Sequence, residues 1–203
     1  MSTIPIALEH PGVTIASGDH ICAFFRGAGE RDDILLPFLR DGLVEGHKCI
    51  AVMDDPDVGQ ITNPLSLVLD IGAPLRSRQF ELLSSGSAYL TGGYFSTERM
   101  LDFWECNVGR AVGAEGFRFV RSVGEMTWAL RDIPGVDQLV RYEARLNRFL
   151  PRYPQVVLCL YDLERFTDGR VLMEVLKSHP KVLMSGQVLD NPWYVEPEDL
   201  LEA

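Results

Sequence analysis

Residues 156–161 read VVLCLY and residues 49–53 read CIAVM, and these two apolar runs decide the fold class. Strands buried on both faces lose the alternation of polar and apolar residues and become nearly continuous in Val, Ile, Leu and Cys. Further short apolar runs occur along the chain. The predicted strands are residues 20–25, 48–53, 80–83, 117–122, 156–161 and 182–189.

Segments with helical spacing lie between these strands. The predicted helices cover residues 31–44, 65–71, a segment that begins at Ser96, 136–150 and 168–179. Pro37 interrupts the first, so that helix begins near it or kinks there. Because strand and helix alternate, the sequence predicts a three-layer α/β fold with a mostly parallel sheet and helices on both faces. We expect one domain over residues 1–203, with its core at about 13–195 and an antiparallel edge at the last two strands.

The composition excludes several classes of protein. Hydrophobic residues make up 46% and the formal net charge is −10, with only three lysines in 203 residues. Nucleic acid is therefore not expected as a partner, and Arg141, Arg145, Arg148 and Arg152 are predicted to form a solvated helix face. No apolar run approaches the ~18 residues of a membrane span, and the N-terminus lacks a secretory signal. We expect a cytoplasmic protein.

The cysteines and histidines show no ligand spacing. Cys22, Cys49, Cys106 and Cys159 are single and far apart, so a zinc site or a disulfide framework is not expected. His20 begins a predicted strand and His179 ends a predicted helix, and both are predicted to be structural. The sequence predicts neither a metal ion nor a cofactor.

The loop after the first strand stands where a phosphate loop would be, but it lacks the chemistry. It reads RGAGERDD from Arg26, with two glycines, no Lys and no following Ser or Thr. Glu30, Asp32 and Asp33 favour the helix dipole and repel a triphosphate. We interpret the segment as a helix-capping turn.

Acidic residues follow two other strands at the carboxyl edge, where open α/β sheets bind ligands. Asp54 and Asp55 are adjacent, so they point in opposite directions, and they form either a turn or part of a site for a hard cation or general base. Glu125 lies beside Met126 and Trp128 and is either a ligand-binding group with a raised pKa or a buried partner of Arg121 or Arg145. Residues 89–95, YLTGGYF, are either a mobile cover or a plain connecting loop.

The whole chain resembles one family. The stretches that carry the resemblance are HICAFFRGAGERDDILLPFLRDGL, KCIAVMDDP, SVGEMTWAL, YEARLN, LCLYDLERF and HPKVLMSGQVLDNPWYV. In this order, over roughly residues 13–195, they resemble the MEDS family, the methanogen/methylotroph and DcmR-type sensory domain of bacterial and archaeal regulators. The resemblance implies a RecA/KaiC-like fold with a degenerate phosphate loop, in which Asp54 and Asp55 stand where those ATPases keep acidic residues.

The resemblance also implies a function. We expect a non-catalytic sensory or regulatory domain that binds a small, partly apolar molecule and signals through a partner protein or a change of oligomer. One alternative is residual nucleotide binding or weak ATPase activity, and another is a module that binds only proteins, such as a kinase or an anti-sigma factor. The resemblance supplies no site residues. From position at the sheet edge and polarity alone, the predicted ligand-binding residues are Phe25, Arg26, Asp54, Asp55, Glu125, Trp128, Tyr142, Arg145 and Tyr161.

Overall fold

A single seven-stranded sheet organises the chain. The computed structural model describes residues 15–54, 58–184 and 187–202. The strands are β1 (His20–Phe25), β2 (Lys48–Met53), β3 (Phe80–Ser84), β4 (Val120–Glu125), β5 (Gln155–Asp162), β6 (Lys181–Met184) and β7 (Gln187–Asp190). Their order is β3-β2-β4-β5-β1-β6-β7, and every pair is parallel except β6 with β7.

Helices cover both faces of this sheet, which confirms the three-layer α/β prediction. They are α1 (Gly27–Val44), α2 (Val58–Ser66), α3 (Gly72–Arg76), α4 (Thr97–Gly113), α5 (Leu139–Phe149), α6 (Gly169–Ser178) and α7 (Pro197–Glu202), with short 3₁₀ turns at Met126–Leu130, Val136–Gln138 and Leu150–Arg152. The buried stripes of α4, α5 and α6 pack on one face, and those of α1 and α2 pack on the other.

Strand parity divides the core into two halves. Cys22 of β1 lies opposite Cys159 of β5, and both side chains belong to the half beneath α4, α5 and α6. Ile21 and its partner Leu158 point to the half beneath α1 and α2. Since neighbouring residues of a strand face opposite sides, a shift of one residue in register would exchange these two sets.

Several predicted boundaries differ from the structure. Of residues 182–189, predicted as one strand, 182–184 lie in β6 and 187–189 in β7, which pair antiparallel, and β4 begins at Val120 rather than at residue 117. The predicted helix over residues 65–71 is wrong, because α2 ends at Ser66 and α3 begins at Gly72. Helix α1 begins at Gly27 and keeps the buried Pro37 inside it. Within the described ranges, no helix is both long enough and apolar enough to cross a bilayer.

Candidate functional site

The turn between β1 and α1 is filled by carboxylates. The backbone N–H of Arg26 donates to Glu30 Oε2 at 2.7 Å. Glu30, in the first turn of α1, therefore caps the N-terminus of its own helix. Gly27 has φ +67°, and a Cβ at this position would lie 3.6 Å from Glu164 Oε2. Two carboxylates therefore lie at the place where a phosphate loop would hold an anion. This geometry agrees with the interpretation as a helix-capping turn.

At the carboxyl edge, Asp54 and Glu125 come together. We call these two residues the edge acid pair. The backbone N–H of Asp54 donates to Glu125 Oε2 at 3.0 Å, and Thr127 Oγ1 lies 3.3 Å from an oxygen of each carboxylate. Burial raises the pKa of Glu125, while the hydrogen bond from Asp54 and the charge of Arg31 oppose that rise. Glu125 is 7% exposed.

The Asp54 carboxylate is held by three side chains from two neighbouring segments. It accepts hydrogen bonds from Ser85 after β3 and from Thr127 after β4, and it forms an ion pair with Arg131 whose N···O distance is 2.7 Å. These contacts join the ends of β2, β3 and β4 at one edge of the sheet. Asp55, the other acidic candidate, lies outside the described residues.

Next to the edge acid pair is a group of rings that we call the aromatic cluster: Tyr89, Phe95, Trp128 and Tyr142. Tyr89 stacks on Trp128 with ring centroids 4.7 Å apart, and Phe95 lies 4.5 Å from Trp128. Tyr142 meets Phe95 edge-on at 5.6 Å and accepts a 2.8 Å hydrogen bond from Trp104 Nε1. The indole N–H of Trp128, by contrast, is buried and has no hydrogen-bond acceptor within the described parts of the chain.

Residues 85–96, which we call the cover loop, connect β3 to α4 and supply Tyr89 and Phe95 to the aromatic cluster. Both Gly92 and Gly93 have φ +82°, a conformation that glycine adopts without a steric cost. The Phe95 N–H donates to Pro134 O at 2.9 Å, which anchors the end of the loop. The loop therefore has two glycines with positive φ between its two aromatic contacts.

The structure does not bring all the predicted site residues into one pocket. Trp128 and Tyr142 share the aromatic cluster, and Arg26 lies at the β1–α1 turn. Phe25 belongs to the opposite half of the core. Arg145 projects from the outer side of α5, where it pairs with Glu98 at 2.6 Å. Tyr161 lies at a second buried group.

That second group, the inner polar cluster, consists of His20, Glu143, Cys159 and His179. All four side chains are buried between the sheet and helices α5 and α6, and one possible ligand atom from each lies within 4.8 Å of the others. Glu143 Oε2 is 3.2 Å from His20 Nε2 and 3.6 Å from His179 Nε2. Cys159 Sγ is 3.3 Å from His20 Nε2 and 3.7 Å from Glu143 Oε2.

Surrounding oxygens orient the members of the inner polar cluster. Both imidazoles place Nδ1 against an oxygen, His20 at Asn147 Oδ1 (3.1 Å) and His179 at Val175 O (2.8 Å). Tyr161 donates to Glu143 Oε1 at 2.6 Å. Burial lowers the pKa of each histidine to about 3 and raises the pKa of Glu143. The two imidazoles are thus neutral at physiological pH.

Comparison with known proteins assigns the family. The family profile described as "MEDS: MEthanogen/methylotroph, DcmR Sensory domain" matches residues 19–180. The chain belongs to the MEDS family. It is 31% identical over 172 residues to the transcriptional repressor DcmR of Methylorubrum extorquens. This alignment covers 83% of the chain and 60% of DcmR, so the MEDS chain spans about three fifths of that relative. Membership gives the chain a sensory or regulatory role.

Solved structures share the fold of this MEDS chain. An uncharacterised Pyrococcus horikoshii protein, crystallised with an unknown peptide, matches with a TM-score of 0.63 at 15% identity, over 86% of this chain and 82% of its own. A KaiC-like protein of the same organism matches with a TM-score of 0.56 at 14% identity, over 83% and 71%. FlaH, a flagellar accessory protein of Methanocaldococcus jannaschii, gives 0.54 at 13% identity, over 87% and 77%. The KaiC-like fold predicted for the MEDS chain is confirmed.

Sequence spacing gave no indication of the inner polar cluster in this MEDS chain. Its four members come from β1, α5, β5 and the end of α6. They meet because β1 pairs with β5 and because α5 and α6 pack on the same face of the sheet. The burial of Glu143 could have been predicted from the sequence, because this residue lies on the apolar stripe of α5 between Leu139 and Leu146. A carboxylate at an apolar position of a helix indicates a buried polar partner.

Proposed function

We propose that this MEDS domain is a non-catalytic sensor that binds a small, partly apolar molecule in the aromatic cluster beneath the cover loop. The observation that carries this proposal is the buried Trp128 indole N–H, which has no acceptor in the described structure. A buried donor without a partner costs about 1–3 kcal/mol. A ligand that brings one acceptor oxygen or nitrogen among these rings removes that cost.

The surroundings of Trp128 suit such a ligand. Binding sites for small molecules combine apolar walls with a few directed polar groups. Here the walls are the rings of Tyr89, Phe95 and Tyr142, and the directed group is the indole N–H. Small hydrocarbon derivatives that carry one hydroxyl or carbonyl oxygen have the matching chemistry.

Entry of a ligand requires the cover loop to move. Tyr89 and Phe95 close the aromatic cluster from the side of this loop, and the glycine pair lies between them. A ligand that separates Tyr89 from Trp128 would shift the loop and its anchor on Pro134. The surface changed in this way would signal through a partner protein, such as a kinase or an anti-sigma factor, or through a change of oligomer.

Tryptophan fluorescence tests the proposal. We expect at least one compound from a panel of short alkanols and ketones to change the emission of the wild-type protein saturably. In Trp128→Phe, which keeps a ring but removes the N–H donor, the affinity should fall about tenfold, the loss of one hydrogen bond of ~1.4 kcal/mol. Thermal shifts report binding independently of the fluorophore.

Trp193→Phe is the matched control for this titration. Trp193 is 57% exposed and lies outside the aromatic cluster, so its loss should leave the affinity unchanged. The proposal is overturned if no compound in the panel shifts the emission or the melting temperature of the wild-type protein. It is equally overturned if both tryptophan variants bind with the wild-type affinity.

Nucleotide binding is the second candidate function, and the KaiC-like fold is the observation that favours it. The edge acid pair would then hold a divalent cation beside the nucleotide. Against this function stand the Glu30 cap on α1 and the internal hydrogen bonds of Asp54. We therefore rank it below the sensory function, and titration with nucleotides tests it.

A further inference from the structure

The four members of the inner polar cluster direct atoms with lone pairs toward one another. Asn147 uses its amide nitrogen to donate to Ser178 O at 2.7 Å and to Glu143 O at 3.3 Å, so its oxygen faces His20 as an acceptor. The acceptor for His179 Nδ1 is a backbone carbonyl, Val175 O. Both imidazoles therefore carry their proton on Nδ1, and both Nε2 lone pairs face the interior of the cluster.

The inward-facing atoms need a proton or a metal ion between them. His20 Nε2, His179 Nε2 and Glu143 Oε2 all act as acceptors when the carboxylate is ionised, and Cys159 Sγ is the fourth atom. His179 Nε2 is fully buried and has no hydrogen-bond partner within the described residues. Buried lone pairs without a proton or a metal between them are unfavourable.

The spacing of these atoms matches the edges of a coordination tetrahedron. Bonds of about 2.0–2.3 Å to a central zinc ion place neighbouring ligand atoms about 3.3–3.8 Å apart. Four of the six separations are 3.2, 3.3, 3.6 and 3.7 Å, and the other two, from His179 Nε2 to His20 and to Cys159 Sγ, lie within 4.8 Å. We propose that His20, Glu143, Cys159 and His179 bind one Zn²⁺ ion in a closed tetrahedral site inside the domain.

The donor types select zinc over the hard divalent cations. Two imidazole nitrogens, one thiolate and one carboxylate suit a borderline-soft metal, whereas Mg²⁺ and Ca²⁺ require oxygen ligands throughout. With neutral histidines, the negative charges of the Cys159 thiolate and the Glu143 carboxylate balance the ion. The loaded site is electrically neutral, as a fully buried position requires.

Outer hydrogen bonds would hold the ligands in place. Asn147 and Val175 orient the two imidazoles, and Tyr161 binds the Glu143 oxygen that faces away from the metal position. Partners of this kind are typical around bound zinc, where they fix the tautomer and ring orientation of each histidine. The ion would tie β1 and β5 to α5 and to the end of α6. This inference revises the sequence expectation that the chain binds no metal.

Metal analysis of the wild-type protein tests the inference directly. Protein purified without chelator and then titrated with Zn²⁺ should bind one ion per chain, and its melting temperature should rise. X-ray absorption of the zinc-loaded protein should show one sulfur at about 2.3 Å and three lighter ligands at about 2.0–2.2 Å. Loading with Co²⁺ should give the visible bands of a tetrahedral ion and a thiolate charge-transfer band in the near ultraviolet.

Two cysteine variants form a matched pair. Cys22 and Cys159 are buried neighbours in the register of β1 with β5, but only Cys159 belongs to the inner polar cluster. Cys159→Ser should weaken zinc binding at least about tenfold and abolish the cobalt charge-transfer band, whereas Cys22→Ser should bind one ion per chain.

Three results would overturn the inference: no saturable binding of Zn²⁺ or Co²⁺ to the wild-type protein, an absorption spectrum without sulfur, or equal losses in the two serine variants. The spectroscopy needs no variant, so it decides the question even if Cys159→Ser fails to fold. Trp128 is not a proposed ligand. The fluorescence titration therefore tests the sensory function separately from the metal.

Discussion

At the scale of single residues, the sequence predicts which residues end a strand at the sheet edge, but it does not predict which face of the sheet each strand residue occupies. The sequence placed Asp54 and Glu125 at the carboxyl edge because each lies at the end of a buried strand, and they are in contact there. It could not separate Phe25 from Tyr161, since the face that each strand residue occupies depends on the register with the neighbouring strand. That register is set by long-range pairing, which spacing along the chain does not show.

The raised pKa of Glu125 leads to a prediction about stability and pH. The folded protein favours the protonated carboxyl, so this contribution to stability is fully present below the ordinary pKa of 4.5 and is lost as the pH rises through the raised value. Glu125→Gln imitates the protonated form. We expect the variant to unfold a few degrees above the wild type at pH 8, with no difference at about pH 4.

Thermal unfolding across this pH range measures the effect, with Glu98→Gln as the control. Glu98 is exposed, and its hydrogen bonds, one of them to Arg145, lower its pKa, so the control should show no gain in stability at high pH. If Glu125→Gln fails to fold, then Glu125 is required in the core as a carboxylate and is not a candidate for ligand binding. We also expect the variant to weaken the response to the ligand.

At the scale of elements, burial on both faces made the strands predictable. The bounds of β1 and β2 agree with residues 20–25 and 48–53, because both runs are apolar after their first residue, His20 or Lys48. The hairpin of β6 and β7 was missed, since residues 182–189 are predicted as one strand although the polar Ser185 and Gln187 interrupt its apolar residues. The region of α2 and α3 failed for another reason: Pro64, the residue before the predicted helix over residues 65–71, lies inside α2 and does not begin a helix.

The cover loop depends on a glycine of the neighbouring strand. A Cβ at Gly124 of β4 would overlap the hydroxyl oxygen of Tyr89 and approach Met126 Sδ to 3.4 Å. Gly124→Ala should therefore displace Tyr89 from Trp128, lower the stability by about 1–3 kcal/mol and increase the proteolysis of the loop. Chemical denaturation and limited proteolysis measure these two effects.

A double variant tests this mechanism. Tyr89→Phe removes the oxygen that a new Cβ would meet, so Gly124→Ala combined with Tyr89→Phe should recover much of the lost stability. Gly113→Ala is the control for the glycine change itself, because no atom lies within 4 Å of its added Cβ. A double variant no more stable than Gly124→Ala alone would show that Tyr89 does not depend on the space at Gly124.

At the scale of the whole molecule, a fold shared with KaiC-like proteins carries a different loop after β1. Glu30 and Glu164 bring negative charge to that loop, and the chain as a whole has a net charge of −10. Both effects oppose the approach of a triphosphate. The sequence predicts the position of the loop after β1 and shows that it has no lysine. It does not show that Glu164 lies beside Gly27 in this loop, because Glu164 follows β5, far away in the chain.

Calorimetry with nucleotides tests this difference in charge. We expect no saturable heat when the wild-type protein is titrated with millimolar Mg²⁺–ATP or ADP, because the turn offers carboxylates where a phosphate loop offers cations. A variant with both Glu30→Gln and Glu164→Gln shows whether nucleotide is excluded by the two carboxylates or by a lack of hydrogen-bond donors for phosphate. If it remains silent, the turn lacks donors for phosphate, and if it binds, the carboxylates were the barrier. Saturable, magnesium-dependent binding to the wild-type protein would instead show that the turn still holds nucleotide, and the sensory function would lose its priority.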